Sequence, residues 1–593
     1  MSESARPHRE RSASWAPFAC LAVTLPPLIA YNVPPSATFF NQAASLVGWG
    51  LFLLVLAAAL SPAAWPRSRG LAALLGALGL LLLAALIAPF WAALPWSLAL
   101  SNAGTVAAAA LVAIVGAALV EAGVDEEAFR AFCVALVLAG IFSAAIGIEQ
   151  VYAPQWTDGN WIAHTSLEGR AVGNMRQPNH LSSLLLWAVV AIVWLTEAES
   201  VPRPAAVAVA LLLLFGIVLS GSRTGALGTV TLALWGVIDR RLTRPARVAL
   251  VLAPLAYALL WAGTLEYAQH SHVAFGRANE FSAQGDVSSS RFGIWSNTLA
   301  LIQAHPWVGV GVGEFNFAWT LTPFPGRPVA FFDHTHNILL QFAVELGLPL
   351  ASLVLALLAW ALAKAAHHAT EAGSRQGGPQ APVQRAALVM VVMVAVHSML
   401  EYPLWYSYFL LPAAFAFGLC LVGPVPRAAP AAAGTGAFNG HPTRPLVLAA
   451  MALILGGVFA LYDYTRVVVI FAPPARAAPL ADRIADGRRS WLFSHHADYA
   501  AATTAEHPSE VMSAFEGAPH YLLDTRLMIA WATALDEAGD TDRARYIAAR
   551  LREFRNEQAE PFFAVCEEGG QPAGKRPFQC EPPLKTYTFL DFR

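Results

Sequence analysis

The chain has 593 residues, of which 56% are hydrophobic and only 13% charged, with a mean hydropathy of +0.51. A soluble domain carries roughly 25% charged residues, so the composition excludes an ordinary soluble enzyme and points to a polytopic membrane protein. The net charge of −2 carries no signature of nucleic acid, and no nucleic-acid partner is expected.

Apolar runs near twenty residues mark membrane spans, because the hydrocarbon core is about 30 Å thick. About thirteen can be read, near 15–33, 45–61, 71–90, 101–121, 129–149, 181–197, 204–220, 224–239, 247–264, 337–363, 384–400, 404–422 and 445–462. The first follows a basic head (Arg6, Arg9, Arg11) and lacks a small-residue cleavage site, so it reads as an uncleaved span. With that head inside, the inner loops hold Arg67, Arg69, Arg130, Arg203, the cluster Arg240, Arg241, Arg244 and Arg247, then Lys364, Arg375, Arg385, Arg427 and Arg444. The outer loops near 34–44 and 91–100 hold no charge, as the positive-inside rule requires. An odd number of spans then puts 150–180, 220–224, 265–336, 400–404 and the tail on the outer side. The expected organisation is all-α: transmembrane helices over 1–150, a membrane core over 151–365 with a large outer loop at 265–336, further transmembrane helices over 366–462, and a small helical domain over 463–593.

Pro424–Pro445 is rich in Ala, Gly and Pro and reads as a flexible connection. In the tail, Asp524–Phe554 reads as two amphipathic helices flanking Ala538-Gly539-Asp540, a single tetratricopeptide-style hairpin. It serves either as a plain helical cap or as a partner-binding surface. Cys20, Cys133 and Cys420 lie in spans; Cys566 and Cys580 lie in the tail and are expected to form a disulfide if the tail faces an oxidising compartment.

Chemistry concentrates in the outer loops. His334-Thr335-His336 stands just before a span. A helix N-terminus disfavours the imidazolium, and a neutral imidazole there could take a proton from a hydroxyl. The blander alternative is a pair that only hydrogen-bonds loop backbone. Two histidines at i,i+2 with one adjacent Asp333 are not a metal cage, so neither metal nor other cofactor is expected. Arg223 occupies a minimal turn, Gly221-Ser222-Arg223-Thr224-Gly225, where it must find an anion or reach headgroups. Arg291, in Ser288-Ser289-Ser290-Arg291-Phe292-Gly293-Ile294-Trp295, opens an amphipathic helix. Two arginines on one side could clamp a diphosphate, since guanidinium donors match phosphate oxygens bidentately. Arg327, Arg170 and Arg176 are further candidates, with surface solvation as the alternative.

In the earlier loop, Gln177-Pro178-Asn179-His180 directly precedes a span. Gln177 and Asn179 could hydrogen-bond sugar hydroxyls, or cap the helix. Gly309-Val310-Gly311-Val312-Gly313 lacks the lysine of a phosphate loop and reads as structural. The run His397–Tyr406 sets Glu401 and the aromatics Tyr402, Trp405 and Tyr406 at a short outer turn, an aromatic belt or a sugar platform or lipid gate.

In this order these motifs resemble the bacterial O-linked oligosaccharyltransferases of the PglL type, which share a superfamily with O-antigen ligases and polymerases. The resemblance covers about 150–560. The arginine turn, the Ser289–Trp295 and His305–Gly311 segments and the Asp333–Asn337 box belong to the whole superfamily; the Gln177–His180 and His397–Pro403 blocks look specific to the protein-glycosylating branch. It implies an inner-membrane, metal-independent glycosyltransferase with its site facing the periplasm. A glycan on an undecaprenyl diphosphate carrier would pass to a Ser or Thr hydroxyl of an exported protein such as a pilin. The resemblance implies a catalytic histidine in the box, His336 or His334, with His336 favoured, and diphosphate binding by Arg223 and Arg291. Gln177, Asn179, Tyr402 and Arg176 are assigned to glycan or acceptor handling. Rival readings are an O-antigen ligase acting on lipid A-core, a polymerase, and, outside enzymes, a transporter of the lipid-linked glycan; against the last, the spans show no inverted repeat.

Overall fold

The computed structural model describes all residues except 1–14, 60–65, 166, 272, 276–286, 372–382, 424–443 and 567–575. Arg6, Arg9, Arg11, Arg375, Arg427 and most of the Pro424–Pro445 connection therefore lie outside the described residues. Among the described residues every regular element is helical. In chain order these are α1 (Trp15–Thr24), α2 (Phe39–Ala59), α3 (Arg69–Trp91), α4 (Trp96–Glu121), α5 (Asp125–Tyr152), α6 (Pro178–Glu197), α7 (Arg203–Ser220), α8 (Arg223–Ile238), α9 (Arg244–Val251), α10 (Ala253–Ser271) and α11 (Val287–Ala304). Then follow α12 (Phe315–Leu321), α13 (Ile338–Glu371), α14 (Val383–Ser398), α15 (Ser407–Cys420), α16 (Arg444–Phe471), α17 (Leu480–Gly487), α18 (Ser494–Thr504), α19 (Thr525–Glu537), α20 (Thr541–Glu553) and α21 (Glu560–Ala564).

Each of the thirteen expected spans carries a helix. Among the described residues eight of these helices, α2 to α7, α13 and α16, are long and apolar enough to cross a membrane. The pair α9–α10, bent by 45°, makes a ninth if counted as one span. α1, α8, α14 and α15 are apolar but only 10–17 residues long, short of the roughly 20 a straight crossing needs. The protein is thus a multi-pass, all-helical membrane protein.

The chain forms two compact units. The first comprises Met1–Leu78, Thr105–Gln284 and Ala356–Leu461. At its heart is α6, buried along most of its length, as an all-round apolar helix must be. An aromatic nest of Trp49, Phe52, Phe132 and Phe415 fills the space between α2, α5 and α15, with ring centroids 5.2–6.2 Å apart.

The second unit comprises Gly79–Gly104, Gly285–Leu355 and Tyr462–Arg593. Here the polar segment ahead of α13 and the tail share one hydrophobic core. Phe315, Phe317, Trp319 and Leu321 of α12 pack with Leu527, Trp531, Tyr546, Phe554 and Phe589. The hairpin expected over Asp524–Phe554 is α19–α20, its helices capped by the carboxylates of Asp524 and Asp540. Cys566 and Cys580 are joined in a disulfide. The glycine run has a specific structural use. α13 breaks at Gly347 (φ 74°), which frees the carbonyls of Val344 and Glu345. Val310 N–H and Gly311 N–H bind those carbonyls at 2.8 and 3.1 Å. A Cβ at Gly309 would lie 2.5 Å from the Val344 oxygen, so only glycine lets the two backbones meet.

Candidate active site

In the first unit the loop before α6 is built on buried amides. Gln150 of α5 accepts from Val172 N–H and Gly173 N–H and donates to the Ala163 carbonyl. Asn174 accepts from Ala163 N–H and donates to the carbonyls of Leu28 and Trp161. Arg176 sits at φ 58° and gives Nη2 to the Ala30 carbonyl at 2.9 Å. Gln177 is the N-cap of α6: its side-chain oxygen accepts from Asn179 N–H and His180 N–H, with Pro178 in the first turn.

Asn179 is the junction of this half. Its amide donates to Glu401 at 3.1 Å and its carbonyl oxygen accepts from Ser222 Oγ at 2.6 Å. Ser222 in turn caps α8 by accepting from Gly225 N–H. Arg223 is therefore the exposed first residue of a capped helix. The helix dipole already favours an anion there, and the guanidinium adds a full charge. Arg170 instead turns back to the carbonyls of Ser220 and Gly221 at the end of α7. Tyr402 packs edge-on to Trp405 and tilted against Tyr406, ring centroids 5.2 and 5.7 Å away. Beneath them a buried polar cluster joins His180 to Tyr408 (3.2 Å) and Ser183 to His397 (2.8 Å). The residue types in the block Gln177–His180 gave no hint of this second role for its histidine.

The second unit holds the histidine box. Asp333 is half exposed, His334 is buried and His336 half-buried. Asp333 Oδ1 meets His334 Nδ1, and His334 Nε2 lies 3.0 Å from His336 Nδ1. These partners fix the tautomers. A carboxylate only accepts, so His334 carries its proton on Nδ1 and presents Nε2 as an acceptor. His336 must then donate from Nδ1, which makes its own Nε2 the lone-pair nitrogen. Burial acts to raise the Asp333 carboxyl, but the hydrogen bond and charge of His334 outweigh it and hold it below the ordinary carboxylate range.

The box is held at both ends. Asn316 donates to the Phe332 carbonyl at 2.8 Å. At Thr335, Trp295 Nε1 binds the carbonyl (2.9 Å) and Gln341 accepts from the N–H (2.8 Å). His336 adopts φ 55°, a left-handed conformation unusual for a side chain of its kind. Arg291 lies half-buried on α11, one turn before Trp295.

Arg327 departs from both readings of a surface or phosphate-binding arginine. It is 2% exposed, pairs with Glu553 at 2.9 Å, donates to backbone carbonyls including that of Thr320, and lies over the rings of Trp319 and Phe554. Its charge is spent on holding the loop to α20. A second histidine pair, His495 and His496 on α18, is also buried, with ring centroids 4.2 Å apart and His495 Nδ1 3.0 Å from Ser97 Oγ. Burial lowers both, His495 well below the usual imidazole range and His496 to about 3. No spacing signal marked this pair, since its partners come from distant segments.

Three family profiles match the chain: an O-antigen ligase over residues 208–355, a protein glycosylation ligase over 171–195, and the C-terminal part of a virulence factor membrane-bound polymerase over 385–564. The general O-oligosaccharyltransferase of Acinetobacter baylyi is 26% identical over 323 residues, 52% of this chain and 54% of that protein. The ComP-specific O-oligosaccharyltransferase of the same organism is 25% identical over 265 residues, 44% of this chain and 45% of that protein. By these matches the chain is similar to the PglL-type branch of the O-antigen ligase superfamily. It spans about half the length of the curated relatives it matches. The matched segments divide the candidate residues: Arg176, Gln177 and Asn179 fall in the glycosylation-ligase match, Arg223, Arg291, His334 and His336 in the O-antigen-ligase match, and Glu401 and Tyr402 in the polymerase match.

Proposed function

We propose that the chain is a metal-independent O-oligosaccharyltransferase, which moves a glycan from undecaprenyl diphosphate to Ser or Thr hydroxyls of exported proteins such as pilins. The observation that carries the reading is the Asp333–His334–His336 array, in which a carboxylate backs a pair of histidines in hydrogen-bond contact. A serine hydroxyl is a weak nucleophile and needs such a base. The acceptor oxygen gives its proton to His336 Nε2 and attacks the anomeric carbon. The bond from that carbon to the diphosphate oxygen breaks, and undecaprenyl diphosphate departs with the electron pair. Arg223 and Arg291 neutralise the leaving group, which guanidinium groups do without a metal. Gln177, Asn179, Arg176 and Tyr402 shape the glycan and acceptor side, Gln177 and Asn179 through the helix ends they fix.

The same reading takes all thirteen expected spans as crossings of the bacterial inner membrane and puts the arginine turn, the histidine box and the 463–593 segment in the periplasm. The Arg and Lys asymmetry of the loops supports that orientation, and the Cys566–Cys580 disulfide supports an oxidising compartment for the tail. The O-antigen-ligase match favours one alternative, transfer to lipid A-core. Reconstitution with a lipid-linked glycan, offering pilin and lipid A-core separately and with EDTA throughout, decides between them. Glycosylated pilin is expected. Transfer to lipid A-core alone replaces the reading with the ligase, and loss of activity in EDTA removes metal independence.

A further inference from the structure

Asn316, 3% exposed on α12, joins two segments far apart in sequence. Its carbonyl oxygen accepts from Leu523 N–H at 2.7 Å, and its amide donates to the Phe332 carbonyl at 2.8 Å. The orientation of the amide is dictated by its partners, since an N–H must meet oxygen and a carbonyl must meet the NH2 group. Phe332 immediately precedes Asp333, so this bond fixes the entry of the histidine box, as Trp295 and Gln341 fix Thr335. The left-handed His336 costs of order 1 kcal/mol, which the surrounding anchors must over-determine.

Of the three anchoring side chains, Asn316 is the one bound directly to tail backbone. α12 is further clamped to the tail on both sides of it. Glu314 and His520, both buried, meet at 2.8 Å, and Tyr546 OH donates to the Leu321 carbonyl at 2.7 Å. Phe331 stacks on Phe554, ring centroids 4.0 Å apart. The tail therefore bears on the box through short, buried, directional contacts.

We propose that Asn316 is a positioning residue for the Asp333–His334–His336 array, and that through it the C-terminal segment sets the catalytic geometry instead of serving only to recruit an acceptor. This rests on the transferase reading above. Misplacing a catalytic group by about 1 Å can cost 100-fold in rate, and a freed Phe332 carbonyl releases the residue that carries the relay carboxylate.

Asn316→Asp in the full-length protein tests it, because the carboxylate keeps an acceptor for Leu523 N–H but cannot donate to Phe332. Asn316→Ser serves where the aspartate prevents folding. The expected result is a kcat per folded molecule reduced about 10- to 100-fold, donor and acceptor KM within about twofold, and a displaced acid limb of the pH profile. A purely architectural asparagine would lower the yield of folded protein and leave these three readings alone. Carbethoxylation of His336, followed by peptide mass spectrometry across pH, reads the same geometry without turnover; a changed pH dependence is expected. Wild-type kcat and wild-type carbethoxylation in a folded variant overturn the proposal. Failure of the wild-type protein to transfer any lipid-linked glycan removes the transferase reading instead, and the carbethoxylation profile then decides for or against Asn316.

Discussion

Asp333→Asn isolates the charge in the histidine relay. The asparagine oxygen can still accept from His334 Nδ1–H, so the tautomers of the relay are retained. What is lost is the negative charge that stabilises the imidazolium formed when His336 takes the proton. A hydrogen bond to a charged group contributes about 1.5–3 kcal/mol, and 1.36 kcal/mol is tenfold in rate, so kcat should fall about ten- to 150-fold. The direction of the pH effect also follows. Asp333 is held below the ordinary carboxylate range and stays ionised wherever the imidazoles titrate. Its charge raises the basicity of the relay, so removing it should move the acid limb of kcat/KM to lower pH. The assay is transfer of a lipid-linked glycan to pilin in proteoliposomes, with kcat and KM measured from pH 5 to 9. A kcat within threefold of wild type and an unmoved acid limb would refute the relay and leave the histidine pair as loop architecture.

His336→Ala should abolish transfer, a loss of about 100- to 10,000-fold for a general base, with the protein still in the membrane; His334→Ala should retain measurable activity, and the reverse order in the same assay makes His334 the base. Arg223→Ala or Arg291→Ala should raise the KM for the lipid donor about tenfold or more, as loss of a phosphate-binding charge requires, while Arg223→Lys recovers part of it; unchanged donor kinetics exclude the clamp. The buried His496 sets an acid limit on stability: its folded value of about 3 lies below the roughly 6.5 of an unfolded chain. The unfolded state binds the extra proton between those values, so stability falls as pH drops below about 6.5, by about 2 kcal/mol at pH 5. Thermal unfolding of wild type and His496→Phe at pH 7.5 and 5 checks this, and an equal loss of Tm in both contradicts it.

What the sequence made legible was what is local. Continuous apolar runs gave the helices, the Gln177–His180 block stood directly ahead of a span where α6 begins, and Gly539 marked the turn of the α19–α20 hairpin. The histidine box was visible as a motif, but the choice between its two histidines was not. That choice depends on which nitrogen of His334 faces Asp333 and which faces His336, and a rotamer has no sequence signature. Gln177 illustrates a second limit: an amide ahead of a helix suits both sugar binding and capping, and here its oxygen is committed to the cap. Length leaves part of the span reading undecided, since α1, α8, α14 and α15 are apolar but too short to be assigned a crossing from length alone.

Long-range pairing explains the remaining differences. Arg327 looked like a solvated loop arginine because its immediate sequence neighbours are uncharged; its partner Glu553 arrives from α20 at the far end of the chain. Burying that guanidinium is tolerable only with the carboxylate and backbone carbonyls in place, and removing one partner of such a pair typically costs about 3–5 kcal/mol. The same holds for Asn316, an unremarkable residue in an aromatic stretch until Leu523 and Phe332 are brought to it. Both residues tie the polar loop to the tail, and both do so next to the segment that carries the histidines. A tail used only to capture acceptors would need no buried ion pair and no bridging amide at that place. Its contacts are those of a wall that the loop is folded against, which is why a substitution in the tail core, Tyr546→Phe, should reach turnover before it reaches acceptor binding.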